Sequence, residues 1–181
     1  MNFVVTGTPG CGKTTFAGKL AQILKMKVIN EKDFALSNKI GTFNEENELE
    51  IPIKKFEAKA NTFLKKNNNI ILEGHTLCEM KLKVDKVILI TIHPETLEFR
   101  LEQRNYAPQK IMDNVFCEGI NYCKKHVARN YPKKSVIEVS SQNPLNHTVA
   151  EVLQKLALPV KSLKSPKKST KVPKSRKKSK L

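Results

Sequence analysis

The sequence lacks the features that mark membrane-spanning, secreted and metal-binding cysteine proteins. No apolar run approaches the ~18 residues of a membrane-spanning helix. An apolar run typical of a buried strand starts at Phe3, which leaves no room for a basic segment followed by an apolar leader. We therefore expect no secretion signal. None of the four cysteines forms a CxxC pair. Cys11 lies in a glycine-rich loop that a disulfide would hinder, so we predict reduced thiols and a cytoplasmic protein, or a nuclear one if its source is eukaryotic.

Acidic residues are absent from positions 159–181, which contain nine lysines and one arginine. The whole chain has a net charge of +16, and 23 basic and 17 acidic residues precede this segment. Because serines and prolines alternate with lysines there, we predict a disordered basic tail after a domain that spans 1–158. Such a tail binds polyanions, so RNA or ribosome contact is predicted, without base stacking because no aromatic residue is present. A solubilising tail and a localisation signal are the alternatives.

A phosphate-binding pattern, G-x-x-x-x-G-K-[ST], occupies residues 7–14. A short apolar run precedes it and a helical pattern follows, which is the setting that the motif requires. Glycines at Gly10 and Gly12 let successive backbone N–H groups face one anion. Lys13 supplies a positive charge for the β- and γ-phosphates, and Thr14 a hydroxyl for Mg²⁺. The alternative, a glycine-rich turn that only caps a helix, does not account for the full match, so the pattern predicts nucleoside triphosphate binding.

Strand and helix patterns alternate along the rest of the domain. We predict strands at 2–6, 27–30, 69–73, 86–92 and 135–139, and helices at 14–25, 51–65, 94–104, 109–131 and 146–158. Residues 31–50 give few periodic signals. Strands that are apolar at successive positions are buried on both faces, so we predict an α/β fold with a five-stranded parallel sheet flanked by helices. The site is expected at the carboxyl ends of its strands.

Two further groups of residues carry candidate chemistry. Glu73 ends an apolar strand, where a P-loop enzyme places the acid that holds Mg²⁺ through water, and His75 follows two residues later. A solvent-facing acid and a structural histidine are the alternatives. Arg100 and Arg104 are four residues apart and are predicted to share one face of the helix at 94–104, where cations would stabilise a moving phosphoryl group. Pairing of these arginines with nearby glutamates is the alternative.

These motifs together resemble the adenylate kinase isoenzyme 6 family, small proteins with a nucleoside-monophosphate kinase fold that also serve in maturation of the small ribosomal subunit. The resemblance rests on residues 7–15, Asn44-Glu45-Glu46 with Pro52, Glu73-Gly74-His75, and residues 100–114. The strongest stretch runs from Arg100 to Tyr106 and continues in Lys110 and Asp113-Asn114. The resemblance as a whole covers about residues 1–157 and excludes the basic tail.

The resemblance implies a role for each segment. ATP would contact the loop residues, Arg104 at the base of a short lid at about 103–113, and Asn143 beside the adenine. The loop residues concerned are Gly10, Gly12, Lys13, Thr14 and Thr15. Residues 30–53 would bind the monophosphate, AMP. Glu73 and His75 would form the acid-x-His motif linked to ATP hydrolysis, with Mg²⁺ held by Thr14 and, through water, by Glu73. A ribosomal protein of the uS11 class and pre-rRNA would be partners.

The sequence departs from the family pattern in the lid and in the monophosphate segment. Asn105 follows Arg104 where the family prefers glycine, and Leu36 stands where an arginine is expected. Residues 30–53 contain no arginine, so Lys32 and Lys39 are the candidate substitutes, each a point charge and not a bidentate fork. The resemblance therefore implies an adenylate kinase (ATP and AMP to two ADP) with ATPase activity. A ribosome assembly factor that only hydrolyses ATP and another small-molecule kinase are the alternatives.

Overall fold

The computed structural model describes residues 1–45 and 47–157 and has a five-stranded parallel sheet as its centre. This sheet, with helices on both faces, confirms the predicted α/β P-loop architecture. The strands are β1 (Asn2–Thr6), β2 (Lys27–Asn30), β3 (Thr42–Phe43), β4 (Leu49–Glu50), β5 (Ile70–Glu73), β6 (Lys86–Thr91) and β7 (Val136–Ser140). The helices are α1 (Lys13–Leu24), α2 (Glu31–Ser37), α3 (Ile53–Lys66), α4 (Pro94–Glu102), α5 (Pro108–Gly119), α6 (Tyr122–Asn130) and α7 (Leu145–Lys155). The predicted tail and the domain boundary at 158 lie outside the described residues.

The strand order β2-β5-β1-β6-β7 brings distant segments of the chain to one edge of the sheet. β1 is buried along its whole length, since α1, α4 and α7 pack on one face of the sheet and α2, α3 and α6 on the other. In the parallel register, Glu73 at the end of β5 lies opposite Val5 of β1 and Asn30 of β2. The phosphate loop after β1, Glu73 and the start of α2 therefore meet at the carboxyl edge.

Two predicted segments differ from the observed ones. The single helix expected at 109–131 is two helices, α5 and α6, because the chain turns at Asn121, whose φ of 56° lies in the left-handed region that asparagine tolerates better than most residues. Residues 31–50 contain α2 and an antiparallel hairpin of β3 and β4, which are too short to give a periodic signal. Among the described residues, no helix is long and apolar enough to cross a membrane.

Candidate active site

The phosphate loop lies between β1 and α1 and is shaped by glycines that no other residue replaces without strain. Gly7 has a φ of 149°, and a Cβ there would lie 2.3 Å from the Ile90 carbonyl oxygen. Gly10 has a φ of 91°, and its Cβ would meet the Leu101 side chain at 2.7 Å. The Lys13 ammonium reaches back across the loop and donates to the Thr8 carbonyl oxygen at 3.1 Å. The loop therefore has the backbone of an anion site and a cation poised at its centre.

The predicted metal pair, Thr14 and Glu73, converges at the start of α1. The Thr14 hydroxyl lies 3.2 and 3.3 Å from the two carboxylate oxygens of Glu73 and donates to them. Glu73 is only 1% exposed, and Asn30 Nδ2 donates to its Oε1 at 2.6 Å. A hydroxyl and one carboxylate are the oxygen donors that Mg²⁺ takes when phosphates and waters complete its shell, so the residues fit that ion. Within residues 1–45 and 47–157, no three His, Cys, Asp or Glu side chains form a protein-only metal site.

His75 borders the same cleft as Glu73, but it is not on the strand. β5 ends at Glu73, and His75 precedes a short 3-10 turn at Thr76–Glu79. The ring Nδ1 lies 3.1 Å from the Gly7 carbonyl oxygen and 3.6 Å from Cys123 Sγ. Burial alone would lower the pKa of His75, but the hydrogen bond and charge of the Cys123 sulfur outweigh it, and the pKa is raised. The imidazole is therefore held against the phosphate loop by α6.

Glu31, which the sequence did not single out, fixes the backbone at His75. Its carboxylate accepts hydrogen bonds from His75 N at 2.9 Å and from both Thr76 N and Thr76 Oγ1 at 3.0 Å. Burial raises the pKa of Glu31. A Cβ on Gly74 would lie 2.0 Å from Glu31 Oε2, so glycine at 74 leaves the space that this carboxylate fills. The only local signal was position, since Glu31 directly follows a strand that ends at the site.

Glu118, which the sequence also did not single out, links α5 to the phosphate loop. The Thr8 hydroxyl donates to Glu118 Oε2, and the backbone N–H of Ile92 donates to Oε1 at 2.9 Å. Glu118 lies on α5, 110 residues from Thr8 along the chain. The carboxylate thus joins the loop after β1 and the residue after β6 to α5.

The two candidate arginines have different environments. α4 ends at Glu102, so Arg104 lies beyond the helix and the two do not share one helix face. Arg100 donates to Ser141 Oγ at 3.2 Å and to the Ser141 carbonyl at 2.8 Å, and so anchors the loop after β7 rather than pairing with nearby glutamates. Asn105 has a φ of 54°, in the left-handed region that asparagine tolerates better than most other residues apart from glycine.

A cavity of about 330 Å³ lies behind the phosphate loop. Gly12, Thr15, Arg104 and Asn143 line it together with apolar side chains. Its lining is mostly apolar and includes Cys11 and Gly12 of the loop. Its size and position suit an adenine ring beside the triphosphate site.

A wider cleft also borders the loop, and residues 30–32, 47–49 and 51 of the predicted monophosphate segment contribute to its lining. Gly10, Lys13, Thr14, Glu73, His75 and Arg104 line this cleft, so Arg104 borders both spaces. Lys32 also lines it, with Nζ 5.9 Å from the Phe43 ring centroid, whereas Lys39 is exposed and is not part of its wall. Lys110 of α5 forms an ion pair with Glu48 of the hairpin. This ion pair therefore joins α5 to the hairpin of β3 and β4.

Comparisons with known proteins agree with this arrangement. A family model described as an AAA domain matches residues 4–121. A Pyrococcus furiosus protein named "Putative adenylate kinase" is 33% identical over 153 residues, which cover 84% of this chain and 82% of that protein. The "Adenylate kinase isoenzyme 6 homolog" of Plasmodium falciparum is 29% identical over 163 residues, which cover 80% of this chain and 87% of that protein. A shikimate kinase structure from Bacteroides thetaiotaomicron has a TM-score of 0.60 at 15% identity, covers 87% of this chain and 99% of its own, and supports the fold alone.

Proposed function

Because the chain belongs to the adenylate kinase-like P-loop family of these archaeal and Plasmodium proteins, as its motifs predicted, we propose that it transfers the γ-phosphoryl group of ATP to AMP and also hydrolyses ATP. The observation that carries the proposal is that Lys13, Thr14 and Glu73 line one cleft. Residues of the predicted monophosphate segment, among them Lys32 and Glu48, line the same cleft. A phosphoryl donor and an acceptor would then share one cleft, as in-line transfer requires.

In this mechanism the protein works by positioning and charge. The adenine occupies the cavity beside Asn143, and the backbone N–H groups of Gly10 and Gly12 hold the phosphates. Lys13 leaves the Thr8 carbonyl and neutralises the β- and γ-phosphates, and Arg104 contacts them from the lid. Bound Mg²⁺, held by Thr14 and through water by Glu73, would supply further neutralisation of the charge on the phosphates.

The choice of phosphate acceptor depends on the residues of the monophosphate segment that line the cleft. Lys32 is the cation of the monophosphate segment that lines the cleft, and it replaces the arginine missing from this segment. A lysine holds a phosphate by charge without the bidentate fork of arginine, so we expect weak AMP binding. When AMP is absent, His75 would position a water for ATP hydrolysis, with Glu31 holding its backbone in place.

The second candidate is a nucleotide-dependent assembly factor for the small ribosomal subunit. Two features of the sequence support this candidate. The monophosphate segment has no arginine to bind AMP, and residues 159–181 carry ten basic residues and no acid. ATP hydrolysis would then drive binding and release of pre-rRNA or of a ribosomal protein of the uS11 class. Transfer to another small molecule is the third candidate.

The test follows ADP and free phosphate separately, in Mg²⁺ and ATP, with and without AMP. The proposal predicts more ADP than free phosphate when AMP is present and free phosphate when AMP is absent. Free phosphate in an amount equal to the ADP formed, whether or not AMP is present, supports the assembly factor. Lys32→Ala should raise the KM for AMP about tenfold or more, because one phosphate contact of about 1.5 kcal/mol is lost. Lys39→Ala is the matched control and should leave the KM unchanged. An equal effect of both substitutions would contradict the assignment of Lys32.

A further inference from the structure

Two buried cysteines lie next to His75, since the Cys123 sulfur is near the imidazole and the Cys78 backbone N–H donates to the His75 carbonyl oxygen at 3.4 Å. Cys78 lies in the 3-10 turn after β5 and Cys123 in the first turn of α6. Both belong to the same buried cluster, and the Cys78 thiol is a hydrogen-bond partner of the Cys123 sulfur. Cys123 Sγ also lies 3.6 Å from His75 Nδ1 and 3.9 Å from Thr8 Oγ1. Neither the motif nor the proposed phosphoryl transfer uses these sulfurs.

The backbone around the two thiols is fixed by long-range hydrogen bonds. The Tyr131 hydroxyl donates to the Leu77 carbonyl at 2.8 Å, and Asn130 Nδ2 donates to the Cys78 carbonyl at 3.0 Å. Both donors lie at the end of α6, so the turn that carries Cys78 is docked on the helix that carries Cys123. The backbones that carry Cys78 and Cys123 are therefore fixed against each other.

The surroundings of Cys123 favour its thiolate, which is the reactive form of cysteine. The hydrogen bond from Cys78 lowers the pKa of Cys123, burial opposes this, and the hydrogen bond and charge of His75 lower it further. The other two cysteines differ. Burial raises the pKa of Cys11 to about 11, and burial also raises the pKa of the more exposed Cys117, which has no histidine partner.

We propose that Cys123 and Cys78 form a reversible peroxide-oxidation site beside the phosphate loop, with Cys123 as the attacking thiol and Cys78 as the resolving thiol. The Cys123 thiolate attacks one oxygen of hydrogen peroxide, the O–O bond breaks, and hydroxide leaves, which gives a sulfenic acid. The Cys78 sulfur then attacks the Cys123 sulfur, the S–O bond breaks, and the thiol proton leaves with the hydroxyl group as water. Two thiols lose two electrons, and one peroxide is reduced to water and hydroxide.

The site has a consequence for the neighbouring histidine. A disulfide sulfur carries no charge, so oxidation removes the anion that faces His75 Nδ1. The proposal itself concerns the thiols alone and holds whether or not the chain transfers phosphate to AMP.

The test treats the full-length reduced protein with hydrogen peroxide, blocks the remaining thiols under denaturing conditions, and measures intact mass and non-reduced peptides. We expect a loss of two thiols per chain, a mass about 2 Da lower before blocking, a Cys78–Cys123 peptide link, and reversal by dithiothreitol. Cys117→Ser is the matched control and should behave like the unmodified sequence.

The variants separate the two roles. Cys78→Ser should leave Cys123 as a sulfenic acid that dimedone traps, and Cys123→Ser should abolish the rapid loss of thiols. If Cys123→Ser does not fold, the dimedone adduct on the Cys78→Ser protein decides the question. Retention of all four thiols under peroxide, or a link that involves Cys117 or a second chain, would overturn the proposal.

Discussion

Replacing Asn30 tests how the site holds its acidic residue. The Asn30 side chain makes two contacts, since Nδ2 donates to the Glu73 carboxylate at 2.6 Å and Oδ1 accepts from the Lys32 N–H at 2.9 Å. The first contact orients the acid that pairs with Thr14. The second caps α2, the first helix of the monophosphate segment. Asn30→Ala removes both.

The expected cost follows from these two contacts. A hydrogen bond to a buried carboxylate contributes about 1.5–3 kcal/mol, because the charged group is left without a partner when the donor is removed. Loss of an asparagine N-cap costs about 1 kcal/mol. Asn30→Ala should therefore lower the free energy of unfolding by about 2.5–4 kcal/mol. For a domain of this size that is a fall in Tm of about 5–15 °C.

Two further variants separate the contacts. Asn30→Asp keeps the cap but places a second carboxylate against Glu73, so its deficit should be large at neutral pH and should shrink as the pH falls and the pair takes up a proton. Asn38→Ala is the control at the other end of α2, where Nδ2 donates to the Phe34 carbonyl at 2.8 Å. Asn38→Ala should lower the free energy of unfolding by about 1 kcal/mol.

Urea unfolding followed by circular dichroism measures these differences, and the Mg²⁺ dependence of ATP turnover reports on the orientation of Glu73. The reasoning would be refuted if Asn30→Ala cost no more than Asn38→Ala. It would also be refuted if the deficit of Asn30→Asp were the same at pH 5 and pH 8.

Three further predictions concern the loop, the tail and the thiols. Lys13→Ala should abolish ATP turnover while Lys19→Ala retains it, and turnover in the Lys13 variant would contradict the phosphate-loop assignment. Replacing 159–181 with a neutral Gly/Ser segment should leave turnover nearly unchanged but weaken RNA binding and its salt dependence; equal affinity would exclude a role for the charge of the tail. Because the pKa of Cys123 is lowered, its alkylation rate should be flat above neutral pH, whereas that of Cys117, whose pKa is raised, should increase about tenfold per unit. Parallel profiles would contradict the lowered pKa.

Structural features formed by residues close together in the chain were predictable, because backbone conformation and hydrophobic periodicity act over a few residues. The loop at 7–14 has a fixed spacing, its glycines have positive φ values, and the strand and helix on either side have opposite periodicities. Glu73 was found because a carboxylate that ends an apolar strand marks the edge of a parallel sheet. The five strands of the main sheet were all located to within two residues for the same reason.

Residues that act through distant partners were not predictable. Glu31 contacts a backbone 44 residues away, and Glu118 contacts a loop 110 residues away, and neither has a local pattern that distinguishes it from a surface acid. Arg100 was considered as a phosphate ligand, but it binds the loop at Ser141, because only the packed structure brings that loop to α4.

The sequence by itself determined the fold class, the phosphate loop and the family, because backbone sterics and hydrophobic periodicity act over a few residues. Only the tertiary structure decided which side chains hold Glu73 and His75, that Lys32 rather than Lys39 lines the cleft, and that two thiols meet beside His75. Those contacts depend on strand order and helix docking, which bring together segments that are far apart in the chain.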